Sequence, residues 1–369
     1  APRPDLSQSL GVPDSCGQRG CHDDQTIEWS VEAYTTWYGE ARKPHYGTVL
    51  AAAREGEPGA QDALIELVED PLTTAIVRAT ALNLLAAFPT ERNLPVMQRA
   101  LVDDEPLVRH AAVEAVMAAS PGALAELLAP LLFDPVRAVR LRAATRLAGD
   151  SQEFLSPEQS ATLDRELDAY VTAMRSMLDF PSSGLNLGNL YEARGDADTA
   201  EDYYRKALAV DDLFFPAKMN LAVLLSRTGR DGEAESLLRE VLAAYPEQYD
   251  AAYSLALLLV ASGRREEALR FLDQAAEGLP GRSRVHYNRG LLLAQLGRDK
   301  DAEAALRTAL QLEPQSVDYL YALIDFCARR GRLEEALALA RRMIELHPGN
   351  RMGYDLRDAI QDSLSSPGR

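Results

Sequence analysis

Residues 185–207 read Leu185-Asn186-Leu187-Gly188-Asn189-Leu190-Tyr191-Glu192-Ala193-Arg194-Gly195-Asp196-Ala197-Asp198-Thr199-Ala200-Glu201-Asp202-Tyr203-Tyr204-Arg205-Lys206-Ala207, and the pattern returns every 34 residues. Gly195 recurs as Gly229, Gly263, Gly297 and Gly331. Ala200, five residues on, recurs as Ala234, Ala268, Ala302 and Ala336, and Pro246, Pro280, Pro314 and Pro348 close four of the five units. A glycine at that interval ends a first helix, and a small alanine lets a second helix pack against it. A proline then stops the pair before the next begins. Asp212 replaces the proline in the first unit, with Pro216 displaced, so an irregular junction is expected there.

Taken together, Leu187-Gly188, Tyr191, Gly195, Ala200, Tyr204 and Ala207 resemble the tetratricopeptide (TPR) consensus. The resemblance implies five TPR units over residues 181–348 and a solvating cap helix and tail over 349–369. Ahead of them, residues 47–150 repeat at 31 residues. Val77-Arg78, Val108-Arg109 and Val139-Arg140 recur at that interval, as do Ala81, Ala112 and Ala143. An acid–proline step precedes each unit: Asp70-Pro71, Glu105-Pro106 and Asp134-Pro135. This pattern resembles HEAT repeats, stacked helix pairs with a shared core. The alanines allow close helix approach, and the fixed arginine is expected to pair with the acidic turn of a neighbour. Residues 151–180 form a connector whose helix starts at Ser156-Pro157-Glu158, the serine capping and the proline in the first turn. The expected fold is all-α: an α-solenoid of HEAT-like helix pairs and five TPR units, behind a short Cys/His segment over residues 1–46.

The chain has 369 residues, 47% hydrophobic and 26% charged, which fits a folded protein and argues against disorder. A net charge of −17 repels phosphate backbones, so nucleic acid is not an expected partner. The longest apolar run, residues 255–261, is too short to span a bilayer. No leader pattern opens the chain, so it is expected to start after a removed signal or inside a longer protein. No phosphate loop, zinc-protease helix or nucleophile elbow occurs, and an enzyme is not expected.

Only three cysteines are present. Cys327 falls on a helical pattern as a buried free thiol. The other two lie in Cys16-Gly17-Gln18-Arg19-Gly20-Cys21-His22, where three arrangements compete. One is covalent haem c, with Cys16 and Cys21 as thioether attachments and His22 as proximal iron ligand. Another is a Cys16–Cys21 disulfide with His22 incidental. The third is zinc, with His45 or Asp23 completing the ligands. The familiar haem spacing has two residues between the cysteines, and this motif has four. Asp23 or Asp24 is expected to cap a helix running to about Tyr38. Its two apolar stripes, Ile27/Val31/Tyr34/Tyr38 and Trp29/Ala33/Trp37, predict burial on two sides. Gly39 ends the helix and Pro44-His45-Tyr46-Gly47 reads as a turn.

Arg3-Pro4-Asp5-Leu6-Ser7, Leu10-Gly11, Pro13, the Cys/His motif, Trp37-Tyr38-Gly39, Pro44-His45-Tyr46-Gly47 and residues 54–60 together resemble the C-terminal portion of secreted multihaem c-type cytochromes that carry HEAT and TPR tails. That resemblance implies covalent heme c on Cys16, Cys21 and His22, an exported or periplasmic location, and other haem domains of a larger cytochrome as neighbours. His45 is the first choice for sixth iron ligand and Met97 the second, with Trp29, Trp37 and Tyr46 as walls for the ring.

In TPR arrays the first helix of each pair lines the groove. Tyr253, Tyr287 and Tyr321 recur at its fifth position, and Asn186, Asn220 and Asn288 hold the next. In TPR proteins that hold extended peptides, asparagines at that place bond the peptide backbone, so these six residues are candidates for a peptide or protein partner. Packing of the tyrosines between adjacent helices is the competing reading. The basic clamp that some TPR proteins use for carboxylates is not met, since its places hold Leu185, Asp250 and Ser254. The expected function is electron transfer by the haem segment, with the solenoid docking a protein partner. The alternative is a non-redox TPR/HEAT interaction scaffold with a Cys16–Cys21 disulfide.

Overall fold

The computed structural model describes residues 3–13, 17, 20–40, 44–88, 90 and 92–365. Among them the chain forms 21 α-helices, two short 3-10 helices and no strand. It divides into two compact units, Ala1–Ser176 with Leu190–Asp196, and Met177–Asn189 with Ala197–Arg369.

In the first unit, the 31-residue repeat places its small and branched residues at the centre. Ala81, Ala112, Ala143, Val108 and Val139 are fully buried, on the helices Ala75–Leu85, Pro106–Ala115 and Arg137–Leu147. An arginine ladder ties consecutive repeats. Arg78 donates to the Val68 carbonyl (2.8 Å) and to Asp103 (3.2 Å). Arg109 donates to the Asp103 carbonyl (2.7 Å) and to both oxygens of Asp134 (2.7 and 3.0 Å). Arg140 donates to the Asp134 carbonyl (2.8 Å) and to Glu166 (3.1 Å). Each guanidinium therefore satisfies the turn before its own helix and a carboxylate one repeat on. Burial alone would raise the Asp103 and Asp134 carboxyls, but hydrogen bonds from Arg78 and Arg109 and from turn amides hold both below the usual range. The helix Pro157–Arg175 starts with a full capping box, Ser156 accepting from the Gln159 amide and Gln159 from the Ser156 amide.

The N-terminal segment departs from expectation in three places. The helix Ile27–Tyr38 is capped by Thr26, which accepts from the Trp29 amide (3.3 Å), and not by Asp23 or Asp24. Those aspartates lie in the preceding turn, where Asp23 accepts from the Gly20 amide. The helix is not buried on both sides: Trp37 is 70% and Tyr38 68% exposed. It packs on Pro4–Leu10, and seven residues are too short to cover both apolar stripes. His45-Tyr46-Gly47 is not a plain turn, because His45 caps the helix Tyr46–Glu55 through Nδ1, which accepts from the Gly47 amide (3.0 Å).

The second unit is regular. The first (A) helices of its repeats are Pro181–Ala193, whose residues 190–193 fall in the first unit, and Phe215–Arg227, Tyr249–Ala261, Ser283–Gln295 and Val317–Arg329. Its second (B) helices are Ala197–Val210, Asp231–Ala244, Arg265–Gly278, Asp299–Leu312 and Leu333–Leu346, before a last helix Arg351–Ser365. Gly195, Gly229, Gly263, Gly297 and Gly331 sit at φ between 73° and 79°, the left-handed conformation that lets an A helix stop and reverse into its B helix. The recurrent alanines Ala200, Ala234, Ala268, Ala302 and Ala336 are fully buried. The junction with Asp212 in place of proline is not irregular: residues 211–214 span it, as many as span each later junction, and Asp211 accepts from the Leu213 amide. Local capping thus replaces the missing ring. Gly188 lies flat against the buried Tyr204 ring, where any Cβ would stand 2.3 Å from the ring edge.

On the B-helix side, an ionic lattice crosses three of the four junctions between the 34-residue units. Arg230 joins Glu201 and Glu233 at 2.7 Å, Arg264 joins Glu235 (2.8 Å) and Glu267 (2.5 Å), and Arg332 joins Glu303 (2.9 Å) and Glu335 (3.1 Å). Arg205, Arg239 and Arg307 close the same rings. Between the third and fourth units the lattice stops. The place of Glu201 is held there by buried Leu269, and Arg298 pairs with Asp301 of its own unit.

Candidate functional site

The A-helix face of the 34-residue repeats gathers the six partner candidates, but not as one ladder. Tyr253 is buried to 9% exposure, and its hydroxyl accepts a hydrogen bond from the Asn288 amide of the next A helix (2.6 Å). The Arg282 guanidinium lies 5.1 Å from the Tyr253 ring centre and pairs with Asp250. Burial raises the Tyr253 phenol above its ordinary value, although the Arg282 charge and the Asn288 bond act against it. Tyr287 is half-buried against Tyr319, ring centres 4.9 Å apart, with Arg284 5.4 Å from its own. Tyr321 is 42% exposed. Tyr253 and Tyr287 therefore pack between adjacent A helices, and Tyr321 stays open to solvent.

The asparagines divide in the same way. Asn288 serves the seam through Tyr253. Asn220 donates to the Asn189 side-chain oxygen (2.7 Å), which also accepts from the Tyr204 hydroxyl (2.8 Å). Asn186 is exposed on the first A helix. A buried aromatic thus fixes Asn189, which fixes Asn220, so the amides of two repeats hold one orientation at the surface.

Beside Asn220 lies a feature that sequence reasoning missed. Val223 (50% exposed) and Leu257 (40%) rim a recess of about 350 Å³ between the second and third A helices, with Ser226, Ser254 and Ala261 around it. The two residues are 34 apart and share one repeat position with Asn189, Leu291 and Asp325. Aliphatic residues at a position that is polar in the outer repeats were the available signal. A second recess, about 270 Å³, lies between the fourth and fifth A helices beside the Asp325–Arg329 ion pair (2.9 Å).

In the N-terminal segment, Cys16 lies outside the described residues, so its relation to Cys21 is not on view. Cys21 and His22 are exposed, and the His22 ring packs on Trp29 with centres 4.8 Å apart. His45 stacks on Tyr46 at 4.1 Å while its Nδ1 serves as helix cap, which leaves Nε2 as the nitrogen for any further ligand. Among the described residues, no three His, Cys, Asp or Glu side chains gather as a metal site. Met97 is buried and lines a recess with Leu85, Phe88 and Leu94. No described helix is long and apolar enough to cross a membrane.

Comparison with known proteins bears on the second unit. Tetratricopeptide repeat sequence models match residues 185–249, 232–296 and 287–351. No curated protein matches the chain. Solved structures similar to it include a thermophilic TPR protein of Thermus thermophilus, 28% identical, over 50% of this chain and 100% of that one, at a TM-score of 0.37. YrrB, titled a TPR protein with an unusual peptide-binding site, is 22% identical over 52% of this chain and 98% of its own, at 0.44. A tetratricopeptide repeat protein of Parabacteroides merdae is 21% identical over 50% and 73%, at 0.45. The A and B helices between residues 185 and 351, somewhat under half of the chain, carry the match to tetratricopeptide repeats.

Proposed function

We propose that the chain is a protein-interaction scaffold whose A-helix face holds an extended segment of a partner protein. The observation that carries this reading is the pairing, on one face, of oriented amides with an apolar recess. Asn220 and Asn189 are fixed by Tyr204, and Val223 and Leu257 stand exposed next to them. Amides suit a partner's main chain and the recess suits one apolar side chain, which is how extended peptides gain affinity and register. Selection of displayed peptides on the full chain tests it. Binders should lose at least tenfold in affinity on Val223→Asp/Leu257→Asp, while unaltered binding would place the partner site elsewhere.

A second reading, electron transfer through covalent heme c, is favoured by one group of residues. Cys21 and His22 are adjacent and exposed, Trp29 packs on His22, and Trp37 and Tyr38 leave a broad aromatic surface open on the same helix. His22 would be the proximal ligand, Cys16 and Cys21 the attachments and His45 the sixth ligand through Nε2, in an exported protein adjoining other haem domains. Heme c supplies one-electron exchange when bound. Expression with a c-haem maturation system and a pyridine haemochrome assay tests this. Folded, haem-free protein whose Cys16 and Cys21 form a disulfide by mass spectrometry would remove electron transfer and leave the scaffold.

A further inference from the structure

The turns that join paired helices in the first unit, at residues 69–74, 101–105 and 133–136, are held next to one another by the arginine ladder. Arg78 spans from the Val68 carbonyl to Asp103 in the second turn, and Arg109 from the Asp103 carbonyl to Asp134 in the third. Each turn therefore lies within the reach of one side chain from the next. Large apolar residues stand exposed on these turns and at the starts of the helices that follow. Val102 (80% exposed) and Phe133 (49%) hold one 31-residue register, and Ile76 (61%) and Leu107 (43%) hold another. Leu72, on the first turn, is 91% exposed. Single exposed apolar residues are ordinary on any surface. Five of them over adjacent turns, four held in two 31-residue registers, form a stripe, which is the mark of an interaction surface. The stripe is not spare core, because the next residues inward, Val77 and Val108, are already buried.

At the first two turns the rim of the stripe is acidic, while exposed Arg137 follows the third. Asp70, Asp104 and Glu105 are exposed and form no ion pair among the described residues, and Glu69 beside them pairs with Arg99. We propose that this turn edge is a second docking surface, and that its occupant is a protein segment whose apolar side chains are flanked by lysine or arginine. The apolar stripe supplies the contact area and the unpaired carboxylates select the charge. An anionic lipid surface would meet the same carboxylates and be repelled.

The test uses the full chain and a fluorescein-labelled 18-residue helical peptide of leucine and lysine, followed by fluorescence anisotropy at physiological salt. Binding should weaken at least tenfold for Ile76→Ser/Val102→Ser/Phe133→Ser, and likewise for Asp104→Lys/Glu105→Lys. The Val223→Asp/Leu257→Asp chain, altered on the other unit, should bind as the unaltered protein does. A serine–lysine peptide should bind at least tenfold more weakly than the leucine–lysine one. Equal affinity for the triple variant, or equal affinity for a leucine–glutamate peptide, would overturn the assignment. So would sedimentation showing a dimer that the triple variant abolishes, since the occupant would then be a second copy. Leu72→Ser with Asp104→Lys gives the same readout should the triple variant lose its helicity.

Discussion

Arg109 grips both carboxylate oxygens of Asp134 across a repeat boundary, at 2.7 and 3.0 Å, with the two side chains 12% and 4% exposed. A charge so enclosed is costly to strand. Asp134→Ala should cost roughly 3 kcal/mol of stability, because it leaves the guanidinium without its partner. Asp62→Ala breaks a pair with Arg92 that is 59% and 65% exposed, and should stay within about 0.5 kcal/mol. Urea denaturation of the two variants separates the cases.

Acid should act through the same ladder. Asp103 and Asp134 have folded pKa values below their unfolded ones, so the unfolded chain binds more protons as pH falls. Their contribution is complete above the ordinary aspartate value, about 4, and is lost as pH drops through the lower folded values. The stability gap between the unaltered chain and Asp134→Asn should therefore be constant from pH 7 to 5 and shrink below pH 4. Urea midpoints across that range check the sign.

Gly188 and Gly232 make a matched pair within the TPR array. A Cβ at residue 188 meets the buried Tyr204 ring and can be relieved only by moving a core aromatic, so Gly188→Ala should destabilise by roughly 2 kcal/mol. Gly232 lies in the first turn of its helix with nothing within 4 Å of a Cβ, and Gly232→Ala should stabilise by about 0.5 kcal/mol. Thermal melts decide both.

The three tyrosines should separate by their surroundings. Tyr253→Ala should cost roughly 3 kcal/mol and lower helicity, since it empties a seam and orphans Asn288. Tyr321→Ala should stay within about 0.5 kcal/mol. Circular dichroism during urea titration reads both.

Cys327 is fully buried, and burial raises its thiol above the ordinary range. It should resist iodoacetamide in the native chain and react once urea unfolds the array, as peptide mass mapping would show.

The repeats were legible in the sequence because backbone geometry enforces them. A left-handed residue after each A helix accepts glycine at low cost, and a helix crossing accepts alanine, so both recur at a fixed interval. Of the arginine partners only Asp134 was legible as an acid–proline turn, because Arg78 takes Asp103 and Arg140 takes Glu166 from the connector helix. The fates of Tyr253, Tyr287 and Tyr321 were not, although they share one repeat position. Whether a tyrosine fills a seam depends on what the next A helix offers, Asn288 or Tyr319, and not on its own neighbours in sequence. The apolar recess at Val223 and Leu257 was hidden for a similar reason: Leu257 and Leu291 are also adjacent and aliphatic at that place, so the pattern alone does not locate it. In the N-terminal segment, Trp37 and Tyr38 read as core because sequence pattern reports apolar stripes and not the length of the helix that must cover them.

The missing ring of charges between the third and fourth TPR units divides the array's nearest-neighbour couplings into two kinds. Three junctions carry exposed carboxylate–guanidinium rings that ions in solution weaken, while the one between the third and fourth units has the pair Arg289–Asp273 (2.6 Å) beside the Asn288–Tyr253 bond. Ionic strength thus acts as a dial on the array's couplings, and concentrated salt should loosen the three ringed junctions more than the third–fourth one.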